Sequence, residues 1–261
     1  MFKVATWNVN SLRVRLPQLR EWLATEQPDL LGLQETKVTD VDFPRADVES
    51  LGYQVTFAGQ KSYNGVAILS RQPATDVLVD IPGFSTEERR VLAATFGTLR
   101  MINLYIPNGS ELSSDKYAFK LRWLDALVGW LKSEVLAHEQ VVVVGDFNIA
   151  PEERDVHDPE VWKDTTLFSP AVRASFQSLV DLGLCDSFRL HSQEPGLYSW
   201  WDYRMAAFRR NLGLRIDHVL VSPALSKACT GCRIDKAPRK FERPSDHAPV
   251  IAEFAIKYHD S

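Results

Sequence analysis

Polar side chains follow apolar runs at five places in the chain, and their types suit chemistry on a phosphate ester. In the clearest case, Gly145-Asp146-Phe147-Asn148 follows Val141-Val142-Val143-Val144 directly. Four β-branched residues in a row favour a buried strand, and the glycine permits a sharp exit from it. An Asx-type turn that closes a core strand would explain the same residues. The other clusters are Trp7-Asn8-Val9-Asn10, Gln34-Glu35, Asn103 to Asn108 and Ser245-Asp246-His247.

Glu35, which ends the apolar run 30–34, is the first candidate for a metal ligand. A hard divalent ion such as Mg²⁺ binds few protein carboxylates and completes its shell with water and substrate phosphate. Asn8 and Asn10 flank Val9 on a predicted strand, so they point to one side and could orient the ion or its waters. Glu35 could instead be a helix N-cap or a salt-bridge partner, and the asparagines could satisfy loop backbone groups.

His247 is the best candidate for general acid–base chemistry or for polarising a phosphate. A catalytic histidine needs a carboxylate on one ring nitrogen to fix its tautomer. Asp246 precedes His247, but neighbouring residues on a strand point to opposite faces. The remote Asp217, which with His218 ends another apolar segment, is therefore the better partner.

Carboxylates, amides and one histidine, without a serine elbow, a P-loop or a catalytic cysteine pattern, fit metal-assisted hydrolysis of a phosphodiester. Asp146 suits the alignment or deprotonation of an attacking water. Asn148, Tyr105 and Asn108 suit contacts to a phosphate oxygen or orientation of the nucleophile. Tyr105 could instead be an ordinary strand aromatic.

Charge is distributed unevenly along the chain. The net charge of −4, from 30 basic and 34 acidic residues, argues against a protein that coats polyanions indiscriminately. Between Arg204 and Arg243, however, ten basic residues accompany only Asp217, Asp235 and Glu242. The aromatic run 198–203 adjoins them and could stack on sugars or bases. Arg204 and Arg209 are therefore candidate nucleic-acid contacts, against the alternatives of a solvated surface and a core aromatic cluster.

Short apolar strands alternate with helical patterns, without a linker or repeat, which predicts one α/β domain over residues 1–261. Strands are predicted at 3–7, 30–34, 54–57, 65–70, 91–96, 100–105, 140–145, 198–200, 216–222, 228–234 and 248–254. Helices are predicted at 13–26, 114–137 and 169–182. Hairpin-like strands between the helices predict mixed sheets, and so many strands predict two stacked sheets with helices outside.

Membrane and disulfide classes are disfavoured. No apolar stretch approaches the roughly 20 residues that a spanning helix needs, so a cytoplasmic protein is expected. Three cysteines are too few for a disulfide framework. Cys229 and Cys232 have the spacing of a zinc half-site but lack a second Cys/His pair, which predicts ordinary reduced thiols.

Seven motifs, from the first predicted strand to the last, resemble the exonuclease III family of abasic-site endonucleases, in the endonuclease/exonuclease/phosphatase superfamily, and its bacterial members in particular. They are TWNVNS at 6–11, LQETK at 33–37, NGVAI at 64–68, NLYIPNG at 103–109, GDFN at 145–148, LRID at 214–217 and PSDHAP at 244–249. The resemblance implies a four-layer α/β sandwich of two mixed sheets packed face to face and flanked by helices.

The activity implied by the resemblance is Mg²⁺- or Mn²⁺-dependent cleavage of DNA 5′ to an abasic site. Related activities are those of a 3′→5′ exonuclease, a 3′-phosphatase and a 3′-phosphodiesterase. The implied partner is double-stranded DNA with abasic sites or with damaged or recessed 3′ ends, bound by a monomer in the bacterial cytoplasm.

By position, the resemblance makes Glu35 a metal ligand with Asn8 and Asn10 beside it, and it adds Asp246 to the metal and catalytic cluster. The resemblance implies the same roles as the residue types for Asp146, which positions or activates the water, and for the phosphate contacts Asn148, Tyr105 and Asn108. It also pairs Asp217 with His247. Two further positions match residues that line the abasic-sugar pocket in family members, namely Trp200 and Leu214.

Three departures from the family pattern bear on details. Asn10 stands where some relatives carry Asp, Ser110-Glu111 replaces an Arg that some relatives place in the duplex, and residues 152–168 match no pattern. Two other functions stay open. A non-catalytic nucleic-acid-binding regulator would lose Glu35 or the GDFN motif, and a phosphatase of lipids or inositol phosphates is disfavoured by Thr36-Lys37 and by Trp200-Trp201.

Overall fold

Two six-stranded sheets dominate the computed structural model, which describes residues 1–256. The strands are β1 (Phe2–Asn8), β2 (Leu30–Gln34), β3 (Gln54–Ala58), β4 (Val66–Ser70), β5 (Thr75–Val79), β6 (Val91–Phe96), β7 (Leu99–Tyr105), β8 (Gln140–Asp146), β9 (Cys185–Asp186), β10 (Trp200–Trp201), β11 (Gly213–Leu214), β12 (Asp217–Val221), β13 (Cys229–Ile234) and β14 (Val250–Phe254). The first sheet has the order β13-β14-β1-β2-β4-β3 and the second β5-β6-β7-β8-β12-β9, while β10 and β11 form a small ribbon.

Helices connect the strands, and the longer ones pack on the outer faces of the sheets. They are α1 (Leu12–Glu26), α2 (Arg45–Glu49), α3 (Asp115–Ala137), α4 (Pro159–Trp162), α5 (Pro170–Asp181), α6 (Ser187–His191), α7 (Ala207–Arg210) and α8 (Pro223–Ala228). Short 3₁₀ turns lie at Glu153–Asp155, Arg204–Ala206 and Ala237–Lys240. Among residues 1–256, no helix combines the length and the apolar character needed to cross a bilayer.

Three apolar cores separate the four layers. The inner faces of the two sheets meet in a core that includes Val4 and Ile68 from the first sheet and Met101 and Val142 from the second. A second core packs α1 against the first sheet, and a third packs α3 and α5 against the second. Burial of apolar surface on both faces of each sheet confirms the predicted four-layer α/β sandwich.

Every strand and helix predicted from the sequence has a counterpart, with the ribbon strand predicted at 198–200 shifted to Trp200–Trp201. The pattern missed β5 because this edge strand is mostly exposed and its apolar run, Val77-Leu78-Val79, is only three residues long. It also missed β9, β11 and the short helices, which are too brief for a periodic signal.

Strand direction explains why polar residues gather at one edge. The strand pairs β1–β2 and β7–β8 are parallel, so the ends of β1, β2, β7 and β8 face the same way. β12 runs antiparallel to β8 and begins there, with Asp217 opposite Asp146. Because the two sheets are stacked, the carboxyl-terminal edges of these strands form one continuous polar surface.

Candidate active site

Asn8 joins the two sheets through their acidic residues. Its Nδ2 donates to Glu35 Oε1 at 2.8 Å and to Asp146 Oδ2 at 2.9 Å. Glu35 follows β2 of the first sheet, whereas Asp146 ends β8 of the second. Asn8, Glu35 and Asp146, together with Asp217 and His247, are called the acidic cluster below.

Backbone geometry at the strand ends aims these carboxylates. Gly145 has φ 149°, and a Cβ built on it would lie 1.9 Å from Leu104 O. Only glycine fits there, which is the local reason for glycine before Asp146. Glu35 takes a left-handed conformation with φ 51°, which is uncommon for a residue with a Cβ and turns the chain sharply at the end of β2.

The acidic cluster has a donor set that suits a divalent cation. Glu35 and Asp146 each offer one oxygen, and His247 one ring nitrogen, within 4.8 Å of one another. Burial raises the pKa of Asp146 to about 7, and the carboxylates of Asp217 and Glu35 add to the rise against the effects of His247 and Asn8. Since carboxylate oxygens are hard ligands and their charge is poorly solvated here, the residues fit a hard ion such as Mg²⁺.

His247 is held by Asp217 on one side and faces Asp146 on the other. Its Nδ1 lies 2.9 Å from Asp217 Oδ2, and its Nε2 lies 3.7 Å from Asp146 Oδ2. Burial disfavours the charged ring, but the carboxylates of Asp217 and Asp146 outweigh burial and raise the pKa of His247 to about 10. The predicted Asp217–His247 pair is therefore present, and its imidazole is positively charged at neutral pH.

Asp246 connects two other predicted site residues. Its Oδ1 accepts from Asn10 Nδ2 at 3.0 Å, and its Oδ2 accepts from Trp200 Nε1 at 2.9 Å. Asn10 Oδ1 in turn accepts from Lys37 Nζ at 2.6 Å. Both ends of the Asn10 amide are thus engaged in hydrogen bonds.

Asn148, Asn108 and Tyr105 border the opposite side of Asp146. The backbone N–H of Asn148 donates to Asp146 Oδ1 at 2.9 Å, and Asn108 Nδ2 donates to Asn148 Oδ1 at 3.3 Å. Burial raises the pKa of Tyr105 well above its usual value, as do the nearby carboxylates of Glu35 and Asp146. Tyr105 is therefore a neutral hydroxyl donor at physiological pH, and the guanidinium of Arg90 stacks 4.6 Å from its ring centre.

Three predicted substrate contacts lie apart from the acidic cluster. Arg204 is 84% exposed and paired with Asp202, and Arg209 is exposed on α7. Within residues 1–256, no hydrogen bond or ion pair links either arginine to the acidic cluster. Leu214 is fully buried opposite Trp200 in the β10–β11 ribbon, where it supports the tryptophan from behind.

Comparison with known proteins identifies the family of this chain. A model of the endonuclease/exonuclease/phosphatase family matches residues 5–247. The chain belongs to the endonuclease/exonuclease/phosphatase family. Exodeoxyribonuclease III of Haemophilus influenzae, a curated relative, is 38% identical over 265 residues, which cover 97% of this chain and 99% of that protein.

Two solved structures extend the similarity within the endonuclease/exonuclease/phosphatase family. The 3′ phosphatase NExo from Neisseria, bound to a product DNA hairpin, superposes with a TM-score of 0.95 at 48% identity, over 97% of this chain and 99% of that one. An AP endonuclease from Archaeoglobus fulgidus has a TM-score of 0.95 at 40% identity, over 98% of this chain and 100% of that one. Full-length similarity of this kind shows a hydrolytic nuclease of the family.

Sequence reasoning missed several supporting residues of this family member. Ser199 Oγ donates to Asp217 Oδ2 at 2.7 Å, and Ser245 Oγ donates to the carbonyl of Asn8 at 2.6 Å. Ser199 carried no distinguishing pattern, whereas Ser245 stood in the PSDHAP motif without an assigned role. Lys120 is buried on the apolar face of α3. A lysine among the apolar residues of a helix face was the sequence signal that could have identified it.

The expectation that the basic segment between Arg204 and Arg243 forms one surface is wrong for Arg215. It is 1% exposed, and its guanidinium donates to Asp155 Oδ1 and to Asp186 Oδ2, each at 2.7 Å. A buried arginine stays charged and needs carboxylate partners. The pairing ties the 3₁₀ turn Glu153–Asp155 to the start of β12, so this part of the basic segment serves the fold.

Proposed function

We propose that the chain is a DNA repair nuclease that hydrolyses the phosphodiester 5′ to abasic sites and removes nucleotides or blocking groups from 3′ ends of double-stranded DNA. The observation that carries the proposal is the position of Asp146, between the Asn8–Glu35 pair and the charged Asp217–His247 pair. The names of the full-length relatives, an exodeoxyribonuclease III, a 3′ phosphatase and an AP endonuclease, support the same substrate class.

Mg²⁺ is the proposed cofactor, with Mn²⁺ as a substitute. Glu35 would bind the ion, and Asp146 and the Asn8 amide lie next to it. Asn10 and Asp246 would orient the ion or its waters. When bound, the ion supplies positive charge to a phosphate oxygen.

Asp146 is the residue that prepares the water nucleophile. The Asn148 backbone N–H and the Asn8 side-chain amide hold its two oxygens, so the carboxylate keeps one orientation. A pKa of about 7 lets Asp146 accept a proton from water near neutral pH. The oxygen of that water forms the new bond to phosphorus, and the bond from phosphorus to the 3′ oxygen of the DNA breaks.

Charge that develops on the phosphate is met by fixed donors. The imidazolium of His247, with Nδ1–H committed to Asp217, directs Nε2–H toward the reacting phosphate. Asn148, Asn108 and Tyr105 contribute an amide pair and a hydroxyl on the other side. Such preorganised donors are commonly the largest contribution to catalysis of this kind.

DNA binding is proposed to extend from Trp200 across the acidic cluster. Trp200 stacks against the sugar of the abasic or terminal nucleotide, with its indole held by Asp246 and Leu214 behind it. Arg204 and Arg209 contact backbone phosphates farther out. The enzyme acts as a single-domain monomer, and a DNA substrate implies that it works beside the chromosome in the bacterial cytoplasm.

Two labelled duplexes test this function. One contains a central tetrahydrofuran, a stable abasic analogue, and the other is undamaged with a recessed 3′ end. We expect cleavage of at least one duplex with Mg²⁺ and none after EDTA is added. Incision of the first shows abasic-site activity, and shortening of the second shows exonuclease activity. No cleavage of either with Mg²⁺ or Mn²⁺ overturns the proposal, and release of phosphate from an inositol phosphate instead would favour the phosphatase alternative.

A further inference from the structure

Lys120 connects three separate loops through its ammonium group. The residue lies in α3 and is completely buried. Its Nζ donates to the backbone carbonyls of Asn148 at 2.7 Å, Thr166 at 2.8 Å and Asn108 at 3.2 Å. The three acceptors follow β8, precede α5 and follow β7, respectively. One side chain therefore determines how three independent chain segments meet.

A buried lysine is costly unless its charge is compensated. Burial lowers the pKa of Lys120 to about 7. The negative charge of Asp146 opposes that shift. The three carbonyl oxygens match the ammonium form, because only that form has three N–H donors. Among residues 1–256, no carboxylate lies within ion-pair distance of Nζ. A leucine or methionine would fill the same volume in the apolar stripe without this cost, so packing alone does not account for a lysine here.

Two of the three carbonyls belong to the amide pair beside Asp146. Asn108 Nδ2 donates to Asn148 Oδ1, and Asn148 has a left-handed backbone with φ 50°. Gly109, with φ 96°, packs on the lysine stem, since a Cβ there would lie 3.2 Å from Lys120 Cδ and 3.1 Å from Thr166 Cβ. The loops thus contact one another and the lysine. Lys120 holds the backbone carbonyls of Asn108 and Asn148, the same residues whose side-chain amides form the pair.

We propose that Lys120 is a positioning residue that sets the separation and orientation of the Asn108 and Asn148 amides toward the scissile phosphate. It acts through the backbone of these residues and does not touch the substrate. The inference rests on the proposed function where it is tested by kinetics. A second test, on the free protein without DNA, does not depend on the proposed function.

The kinetic test compares Lys120→Met with Lys132→Met. Lys132 is exposed on the same helix, so it controls for the substitution itself. A displacement of reacting groups by about 1 Å costs about 100-fold in rate, so we expect kcat of Lys120→Met to fall about 100-fold with KM changed less than about threefold. A kcat within about twofold of the unmodified protein, or an equal loss in Lys132→Met, overturns the inference.

The second test uses the side-chain amide signals of Asn108 and Asn148 in ¹⁵N spectra of the free protein. We expect both signals to move in Lys120→Met and to stay in Lys132→Met; unmoved signals overturn the inference. If the unmodified protein cleaves no DNA, the proposed function fails while the amide signals still decide the positioning role. Lys120→Gln, which can donate to two carbonyls, replaces Lys120→Met if the latter does not fold. If neither variant folds, Lys120 serves the fold alone and the inference is overturned.

Discussion

His247 Nδ1 lies 2.9 Å from Asp217 Oδ2, across a sequence separation of 30 residues. The contact forms because β12 places Asp217 opposite Asp146 in the second sheet, while the segment before β14 brings His247 to the same edge. An isolated bridge between His247 and Trp200 fixes that segment. The ring consequently presents Nε2 toward Asp146, and its protonation state is controlled by two carboxylates.

Asp217→Asn is expected to lower kcat by about 100-fold. The amide removes the negative charge that raises the pKa of His247, and its N–H can favour the wrong ring tautomer. Steady-state kinetics give the rate, and an NMR titration of the metal-free protein should show a lower His247 pKa than the value of about 10 in the unmodified chain. Ser199→Ala, which removes one hydrogen bond but keeps the charge, should cost less; an unchanged His247 pKa in Asp217→Asn would contradict this account.

Asp146→Asn is expected to abolish turnover and largely preserve DNA binding. The amide has one oxygen, which can accept from the Asn148 backbone or from Asn8 but not from both as the carboxylate does. The amide also cannot take a proton from water, so kcat should fall at least about 1,000-fold. Binding to an abasic duplex, measured by fluorescence anisotropy, should change less than about threefold. A variant with an unaltered kcat would remove Asp146 from the mechanism.

Glu35→Gln is expected to raise the Mg²⁺ concentration needed for half-maximal activity by about tenfold or more. Loss of a carboxylate removes the strongest class of oxygen ligand for a hard cation. The measurement is a Mg²⁺ titration of cleavage rate, with Asp42→Asn, a change at an exposed carboxylate on the protein surface, as the matched control. Equal metal dependence in both variants would exclude Glu35 as a ligand.

Arg209→Ala is expected to weaken binding to all DNA sequences alike and to flatten the salt dependence of the binding constant. A lysine or arginine that neutralises one phosphate contributes about 0.9 to the slope of log K against log salt concentration. Arg122→Ala, an exposed arginine on α3, serves as the control. An unaltered slope would show that Arg209 does not neutralise a DNA phosphate and is an ordinary solvated residue.

His218 makes stability depend on pH below neutrality. Burial, and then the adjacent Arg215 charge, lower its pKa from 6.5 to about 4. Its Nδ1 lies 3.0 Å from Arg215 Nη1, which donates to it, and its Nε2–H donates to Ile149 O at 2.9 Å, so the folded state holds the neutral ring. Between pH 6.5 and 4 only the unfolded chain takes up this proton, so the free energy of unfolding falls on acidification, by an amount on the order of 3 kcal/mol.

His218→Asn removes that titration and keeps an acceptor for Arg215. We expect the variant to show a shallower loss of unfolding free energy between pH 6.5 and 4 in urea titrations. Identical pH slopes in the two proteins would show that the folded state tolerates the charged ring.

Periodicity and residue type were sufficient to predict the main strands and the polar residues that follow them. The run Val141–Val144 before Gly145 predicted a buried strand ending at Asp146, and the structure has that strand. Alternation along a strand was also the reason for preferring Asp217 to Asp246 as the partner of His247. The Asp217 contact is observed, but residues 246 and 247 precede β14 and are not part of a strand, so alternation is not its cause. The prediction at Val141–Val144 succeeded because strand geometry is local.

Contacts between layers depended on the tertiary structure. Asn8 bridges Glu35 and Asp146 because the two sheets stack, and Gln34 Nε2 reaches Asn103 Oδ1 at 2.6 Å between the same layers. Lys120 meets carbonyls in three loops because α3 packs against the second sheet. The sequence by itself determined which polar groups end the strands, through local backbone preference. Their mutual distances, and the pKa values that follow from burial and charge, were decided only when distant segments packed together.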